Sequence, residues 1–189
     1  MAEQILDGTG QGYRAKVDSE NRLLTSGINK DIFEFKAEMS DAFFIGTPLV
    51  NLTTATESAI FYCKNNEDGA ILLGDFFLIA EATTGGSPSM FRVNWYKNPT
   101  SISSATATVP LNQNFGSSDL LNATVQYGAQ GSTVTGGSLV ATLSFPISRF
   151  NSLPANLVLE KGSSFVVSIV PPTGNTSMPV QFGTRAIRI

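Results

Sequence analysis

The chain contains no histidine and only one cysteine, Cys63. Histidine is the usual general base and the commonest metal ligand, so its absence excludes ordinary serine-hydrolase triads and histidine-based zinc sites. A single cysteine excludes an internal disulfide. Cys63 lies in an alternating run with Ala59 and Phe61, which predicts a small buried core residue. We therefore expect no catalytic residues, no metal site and no cofactor.

Charge is scarce and evenly scattered. Charged residues make up 14% of the chain, against about 25% in an average globular protein. The net charge is −3 and no basic run occurs, so nothing in the sequence attracts nucleic acid. The N-terminus has no basic start followed by an apolar stretch, so it does not resemble a secretory signal.

Long apolar runs are also missing. The longest apolar region, Ala70–Ala82, is interrupted by Gly74, Asp75 and Glu81. A membrane-spanning helix needs about 20 predominantly apolar residues. This region is therefore predicted to belong to a core, and we expect no membrane partner.

What the sequence does contain is strand periodicity, clearest in the last third of the chain. Apolar residues alternate in Leu139–Phe145, in Leu157–Leu159 and in Phe165–Ile169, which places one set of side chains on one face of a strand. The last two runs are joined by a turn at 160–162 and followed by prolines at 171–172. This arrangement predicts a strand followed by a β-hairpin.

Earlier segments carry the same signal. Phe33, Phe35, Ala37 and Met39 alternate with charged residues, which predicts an outer strand of a sandwich. Ala70–Ala82 is long enough for a helix, but its Gly-Asp pair and doubled phenylalanines favour a bulged or bent strand pair.

Phe91, Val93 and Trp95 share one face of a further predicted strand and are expected in the core. Tyr96 faces the other way and is a possible exposed contact. No stretch of the chain has convincing apolar spacing for a long helix.

These segments predict an all-β fold. About eight to ten short strands separated by turn signals are typical of an antiparallel β-sandwich. The strand number and chain size favour a jelly-roll-like domain, covering residues 31–189, over an immunoglobulin-like domain of about 100 residues.

Residues 1–30 are predicted to form an extended N-terminal arm. The glycine-rich stretch Asp7–Gly12 lacks the preceding strand and following helix of a phosphate-binding loop. Tyr13–Val17, a turn at 18–21 and Arg22–Thr25 predict a small hairpin that is too short and polar to fold alone. Such a segment gains stability by lying on another surface. The predicted partner-binding residues are Tyr13, Arg14, Lys16, Arg22, Leu23 and Leu24.

Two kinds of side chain, carboxylates and exposed aromatic rings, indicate alternative functions. The candidates for the carboxylate pair of a glycosidase are Asp75 with Glu81, or Glu67 with Asp68. Glu67 and Asp68 are expected in a solvated turn, and the cluster at 65–69 lacks the spaced carboxylates of a dedicated calcium loop.

Exposed aromatic residues are the other alternative, because a carbohydrate-recognition module needs them on its loops. Tyr96, Tyr127 and Phe115 are the candidates.

Two stretches carry a resemblance to a known class of proteins. Residues 7–25, Asp-Gly-Thr-Gly-Gln-Gly-Tyr-Arg-Ala-Lys-Val-Asp-Ser-Glu-Asn-Arg-Leu-Leu-Thr, resemble the N-terminal segment common in structural proteins of tailed bacteriophages and prophages. The predicted hairpin Leu157–Pro172, with the loop at 174–177, is similar to the end of jelly-roll virion proteins of the same kind.

This resemblance implies a non-enzymatic virion protein, assembled in the cytoplasm of the bacterial host. A head decoration (cement) protein, forming a homotrimer on the major capsid protein or on another virion protein, is the first expectation. A fibre, collar or tail-attached protein is the alternative. The lone cysteine agrees with assembly in a reducing compartment.

Overall fold

A computed structural model describes residues 32–81, 90–147, 150–153, 155–174 and 177–189, together with the strand pairing of two short segments near the N-terminus. Contacts divide the chain into two units, Met1–Asp31 and Ile32–Ile189. In the first unit, β1 (Lys16–Val17) pairs antiparallel with β2 (Leu23–Leu24). This pairing confirms the predicted hairpin, and the rest of the predicted arm lies outside the described residues.

The second unit is built almost entirely of strands. Its described elements, in chain order, are α1 (Ile32–Glu38), β3 (Ala42–Gly46), β4 (Val50–Leu52), β5 (Ser58–Asn65), β6 (Ile71–Ala80), β7 (Met90–Lys97), β8 (Ser101–Ile102), β9 (Ala105–Ala107), β10 (Leu111–Asn112), β11 (Ala123–Gly128), β12 (Val134–Thr135), β13 (Ser138–Pro146), β14 (Asn151–Leu153), β15 (Leu157–Leu159), β16 (Ser164–Val170) and β17 (Met178–Arg188).

Most of these strands form two antiparallel sheets that pack face to face, and β8 pairs with β12 in a separate two-stranded sheet. In the first sheet β3 and β4 lie beside β17, followed by β6 and then by β14 and β15, while β10 extends the sheet beyond β3. The second sheet has the order β13, β7, β16, β5, β11 and β9. From β3 to β17 the main strands switch between the sheets in the way that defines a jelly roll. The predicted jelly-roll-like antiparallel sandwich is therefore confirmed.

Aromatic side chains fill the space between the sheets. Phe76 on β6 contacts Phe182 on the neighbouring β17 at 5.2 Å between ring centroids. It also reaches across to Phe165 at 5.5 Å and to Trp95 at 5.3 Å, both on the second sheet. Trp95 is thus a core residue, as predicted. Cys63 is wholly buried in the same core, which also confirms its prediction.

The short strands β8 and β12 cover part of the outer face of the second sheet. Ile102 on β8, which pairs with β12, packs against Tyr62 and Val166 on that face. Because the sandwich core lies on the other side, β16 is buried on both faces. Its nearly continuous apolar sequence therefore has a structural reason.

The predicted hairpin over Leu157–Ile169 is wrong. Leu157–Leu159 pairs with β6 in the first sheet, whereas β16 pairs with β5 and β7 in the second. The turn at Lys161-Gly162 therefore carries the chain from one sheet to the other. Both edges of β16 are paired with other strands. Alternating apolar residues on either side of a turn do not show whether the two strands pair with each other or lie in different sheets.

The predicted strand over Phe33–Met39 is also wrong, because residues Ile32–Glu38 form helix α1. Phe33, Lys36 and Ala37 are partly buried, while Phe35 is exposed, so burial follows helical spacing. Strong helix formers outweigh the alternating phenylalanines in this segment. No helix in the described part of the chain has the length and apolar character needed to cross a membrane.

Strand β6 contains the predicted irregularity but is one continuous strand. Thr184 lies opposite Phe76, and Ala186 lies opposite Leu73. Two residues of β6, Gly74 and Asp75, therefore face the single Arg185 of β17, which is a β-bulge. A Cβ at position 74 would stand 2.3 Å from the Phe33 ring, so the glycine is needed for α1 to pack closely on the sheet.

Removing a core side chain should cost far more stability than removing an exposed one. Leu78 is 1% exposed and Leu139 is 53% exposed. We expect Leu78→Ala to lower the free energy of unfolding by about 2–5 kcal/mol, because it leaves a cavity. Leu139→Ala, the matched control, should cost less than about 1 kcal/mol. Urea denaturation measures both, and equal losses would contradict this placement of the core.

Candidate functional site

An apolar groove crosses the outer face of the first sheet, where β10 lies beside β3. It is lined mainly by Phe44, Pro48, Phe77, Val109, Leu111 and Arg185. Two adjoining hollows of about 580 Å³ and 550 Å³ make up this groove, and they share Phe44 and Leu111. A groove of this size and character is suited to binding another protein surface.

Glycines allow Phe44 to form the floor of the groove. Phe43 and Ile45 point into the sandwich, so Phe44 between them points outward. A Cβ at Gly46 or Gly183 would stand 3.0 Å or 3.1 Å from the Phe44 ring. The ring therefore lies flat on the backbone of the sheet, because both positions lack a side chain.

Phe115 also lines the hollow of about 580 Å³, at its rim, and is 97% exposed. It belongs to the Phe115 loop, residues 113–122, which follows β10. Asn112 Oδ1 accepts a hydrogen bond from the Asn114 amide at 2.8 Å, and Asn114 Oδ1 accepts one from the Gly116 amide at 3.1 Å. The Asn112 and Asn114 side chains also donate to the backbone oxygen and hydroxyl of Ser40 at 2.9 Å and 3.1 Å. The exposed ring is thus held out by a hydrogen-bonded loop.

The far end of the Phe115 loop is anchored by Arg188. Its guanidinium donates to Glu67 at 2.9 Å and to the Leu120 carbonyl oxygen. Glu67 also accepts a hydrogen bond from the Asn122 amide at 2.7 Å. The expectation that Glu67 is a solvated turn residue is therefore wrong, whereas Asp68 is exposed and pairs with Lys161 at 2.6 Å.

Two opposite charges near the groove have no ion-pair partner among the described residues. Arg185 lines the groove, and its guanidinium lies 5.7 Å from the centre of the Phe33 ring. Asp119 is exposed on the Phe115 loop, and within the described part of the chain its hydrogen bonds are made by its backbone groups. The groove therefore has one cationic wall, and the loop beside it has one carboxylate.

A polar cluster on the outer face of the second sheet is centred on Glu57. Its Oε1 accepts hydrogen bonds from Asn94 Nδ2 and from the Tyr96 hydroxyl, each at 2.8 Å, and one from the Ser168 hydroxyl. Burial opposes ionisation of Glu57, but these hydrogen bonds outweigh it, and its pKa is lowered. This carboxylate is a stable hydrogen-bond acceptor and a weak base, so we assign it a structural role.

Tyr96 is consequently not the exposed contact that the sequence allowed. Its side chain is half-buried, and burial together with the neighbouring Glu57 raises the pKa of its hydroxyl to about 12. Tyr127 is also partly buried, against the core and the edge of the groove. Of the three aromatics considered for sugar binding, only Phe115 is freely exposed.

The proposed carboxylate pair does not come together. Asp75 and Glu81 lie six positions apart along one extended segment. At about 3.3 Å per residue this separates them by roughly 20 Å. A glycosidase needs its two carboxyl groups about 5–9.5 Å apart, so these two residues cannot serve that chemistry together.

The turn at 65–69 is organised by hydrogen bonds of the Asn65 side chain. Its side-chain oxygen accepts a hydrogen bond from the Glu67 amide, and its nitrogen donates to the carbonyl oxygens of Gly69 and Leu159. Across the described residues, no group of three or more Cys, Asp or Glu side chains is placed to hold a metal ion.

The predicted partner-binding residues lie largely outside the described part of the chain. Tyr13, Arg14 and Arg22 fall outside it. Lys16, Leu23 and Leu24 are described only as strand positions, with Lys16 opposite Leu24. Their assignment to a partner surface therefore stays a prediction.

No family model, curated protein or solved structure matches the chain. The structure nevertheless adds Phe44, Arg185 and Glu57 to the residues of interest. The outward position of Phe44 could have been predicted from the sequence, because in a strand one of two adjacent phenylalanines must point away from the core. Arg185 and Glu57 stand alone in the sequence, and only the folded chain shows their surroundings.

The lowered pKa of Glu57 predicts a pH-dependent contribution to stability. This contribution is present above the ordinary value of 4.5 and is lost as the pH falls through the lower pKa of the folded state. We expect Glu57→Gln to lower the urea midpoint more at about pH 7 than at about pH 3. Glu160→Gln, on an exposed turn, is the control and should change the midpoint little. An effect of Glu57→Gln that does not depend on pH would contradict the assignment.

Proposed function

We propose that this chain is a non-enzymatic structural protein of a virion, and that it decorates and stabilises a capsid. The observation that carries the proposal is a jelly-roll sandwich with an apolar groove on its outer face and Phe115 held out beside it. Jelly rolls are common in viral capsid proteins, and exposed apolar patches of this kind mark protein–protein contacts. The resemblance of residues 7–25 to phage structural proteins points the same way.

In this proposal the partners are the major capsid protein, or another virion protein, and further copies of the chain in a trimer. Residues 1–30 bind the particle by strand addition, and many copies on a lattice add avidity. The protein acts on the virion, after assembly in the host cytoplasm.

The chemistry of the side chains supports a role without catalysis. The sequence has no histidine to activate a nucleophile. The candidate carboxylates, Asp75 and Glu81, are too far apart to act together. The most elaborate polar cluster uses Glu57 as an acceptor for three donors, which stabilises a fold and leaves the carboxylate unsuited to take up a proton.

A carbohydrate- or receptor-binding module, or a fibre, collar or tail-attached protein, would use the same fold. Carbohydrate binding loses support from the partial burial of Tyr96 and Tyr127, since stacking on a sugar needs an open ring face. Phe115 is the remaining aromatic for that role. A saturable signal on a glycan array that Phe115→Ala abolishes would favour this alternative over decoration.

Removing the arm should abolish binding to the particle and leave the sandwich folded. We expect a chain lacking residues 2–25 to stay in the supernatant when it is sedimented with heads that lack the native protein. Its circular dichroism and unfolding midpoint should match those of the full chain, because the described strands of the two packed sheets all lie after residue 31.

Two substitution variants of the full chain sharpen this test. Replacing Arg22, Leu23 and Leu24 by alanine should weaken binding as the deletion does, because these are predicted contact residues. Replacing Asp18 and Ser19 in the predicted turn by alanine should not. Undiminished sedimentation of the deleted chain with heads would rule out the arm as the binding element.

A further inference from the structure

We infer that copies of this chain associate through the groove, with Phe115 of one copy entering the groove of another. In the same contact, Asp119 of the first copy pairs with Arg185 of the second. The inference deepens the proposed function, because it assigns a surface to the self-contact that decoration of a lattice uses.

The first argument is the amount of exposed apolar surface. Phe115 is 97% exposed, Val109 67%, Leu111 62% and Phe44 40%. Taking about 150–250 Å² for a full-sized side chain, these four expose on the order of 500 Å². A standard interface buries about 800 Å² on each partner, and about 56–65% of that area is apolar. In a loop-to-groove contact, Phe115 lies on one partner and the other three side chains lie on the second partner. These four side chains therefore supply only part of the apolar area of such an interface, divided between the two copies.

Shape and charge identify a second copy as the occupant. The Phe115 loop offers an aromatic ring and, four residues later, the carboxylate of Asp119. The groove offers an apolar hollow floored by Phe44 and, on its wall, the guanidinium of Arg185. Each feature finds its complement on the same chain, and neither charge is paired within the described part of its own copy. A contact between two copies can therefore pair Asp119 of one copy with Arg185 of the other.

The Phe115 loop is also prepared for binding before any partner arrives. Asn112 and Asn114 hold its first half by hydrogen bonds to the loop and to Ser40, and Arg188 holds its second half. A segment that is already ordered loses little conformational freedom on association. The contact is directional, from loop to groove, so a rotation that closes gives a ring of copies.

The experiment measures the solution mass of the full chain and of charge-reversed variants by light scattering coupled to size-exclusion chromatography. We expect the unmodified chain to form an oligomer, and Arg185→Glu or Asp119→Arg to weaken it about tenfold or more, because each places like charges together. The double variant carrying both changes should recover the oligomer, since the pair is restored with its signs exchanged. Phe115→Ser should also dissociate it.

Controls separate the contact from general effects on charge or folding. Lys161→Glu reverses an exposed charge at the turn between β15 and β16 and should leave the mass unchanged. Circular dichroism should be the same for every variant, because the substituted side chains are exposed.

A monomeric unmodified chain would overturn the inference, as would charge-reversed variants that keep the unmodified mass or a double variant that fails to recover it. Purified chain suffices for these measurements. A monomeric chain in light scattering therefore does not contradict binding to heads. A chain that does not sediment with heads does not contradict self-association.

Discussion

The packing of Phe76 against rings from both sheets is the contact on which the rest of the fold depends. Phe182 belongs to its own sheet, while Trp95 and Phe165 belong to the facing one. The bulge just before Phe76 makes this possible, because the extra residue lets the strand turn Phe76 inward while Gly74 faces helix α1. The β-bulge therefore places Phe76 in the core on one face of β6 and lets α1 pack closely on the other face.

The two outer faces of the sandwich differ in what covers them. The outer face of the second sheet is partly covered by β8 and β12, and three of its polar side chains donate hydrogen bonds to Glu57. Among the described residues, α1 packs on the outer face of the first sheet, and the hollows around the Phe44 ring are open beside β10. This difference is the reason for placing the proposed partner surface on the outer face of the first sheet.

The sequence predicts the sandwich well because period-two alternation follows directly from strand geometry. It predicts the bulge for the same reason, since Gly74-Asp75 interrupts an apolar run. It fails at α1, where alternating phenylalanines and strong helix formers disagree, and contact with the sheet decides. It also fails between β15 and β16, because the partners of a strand are set by packing far along the chain. The groove is missed for that reason too, as Phe44 and Arg185 meet only through the pairing of β3 with β17.

The burial of Cys63 has a practical consequence for following this protein. The thiol is wholly enclosed by the core, and burial raises its pKa to about 12, so the reactive thiolate is scarce at neutral pH and out of reach of reagents. A thiol-specific dye can then label the chain only when the sandwich opens. The rate at which the dye labels Cys63 therefore reports how often the two sheets separate under native conditions.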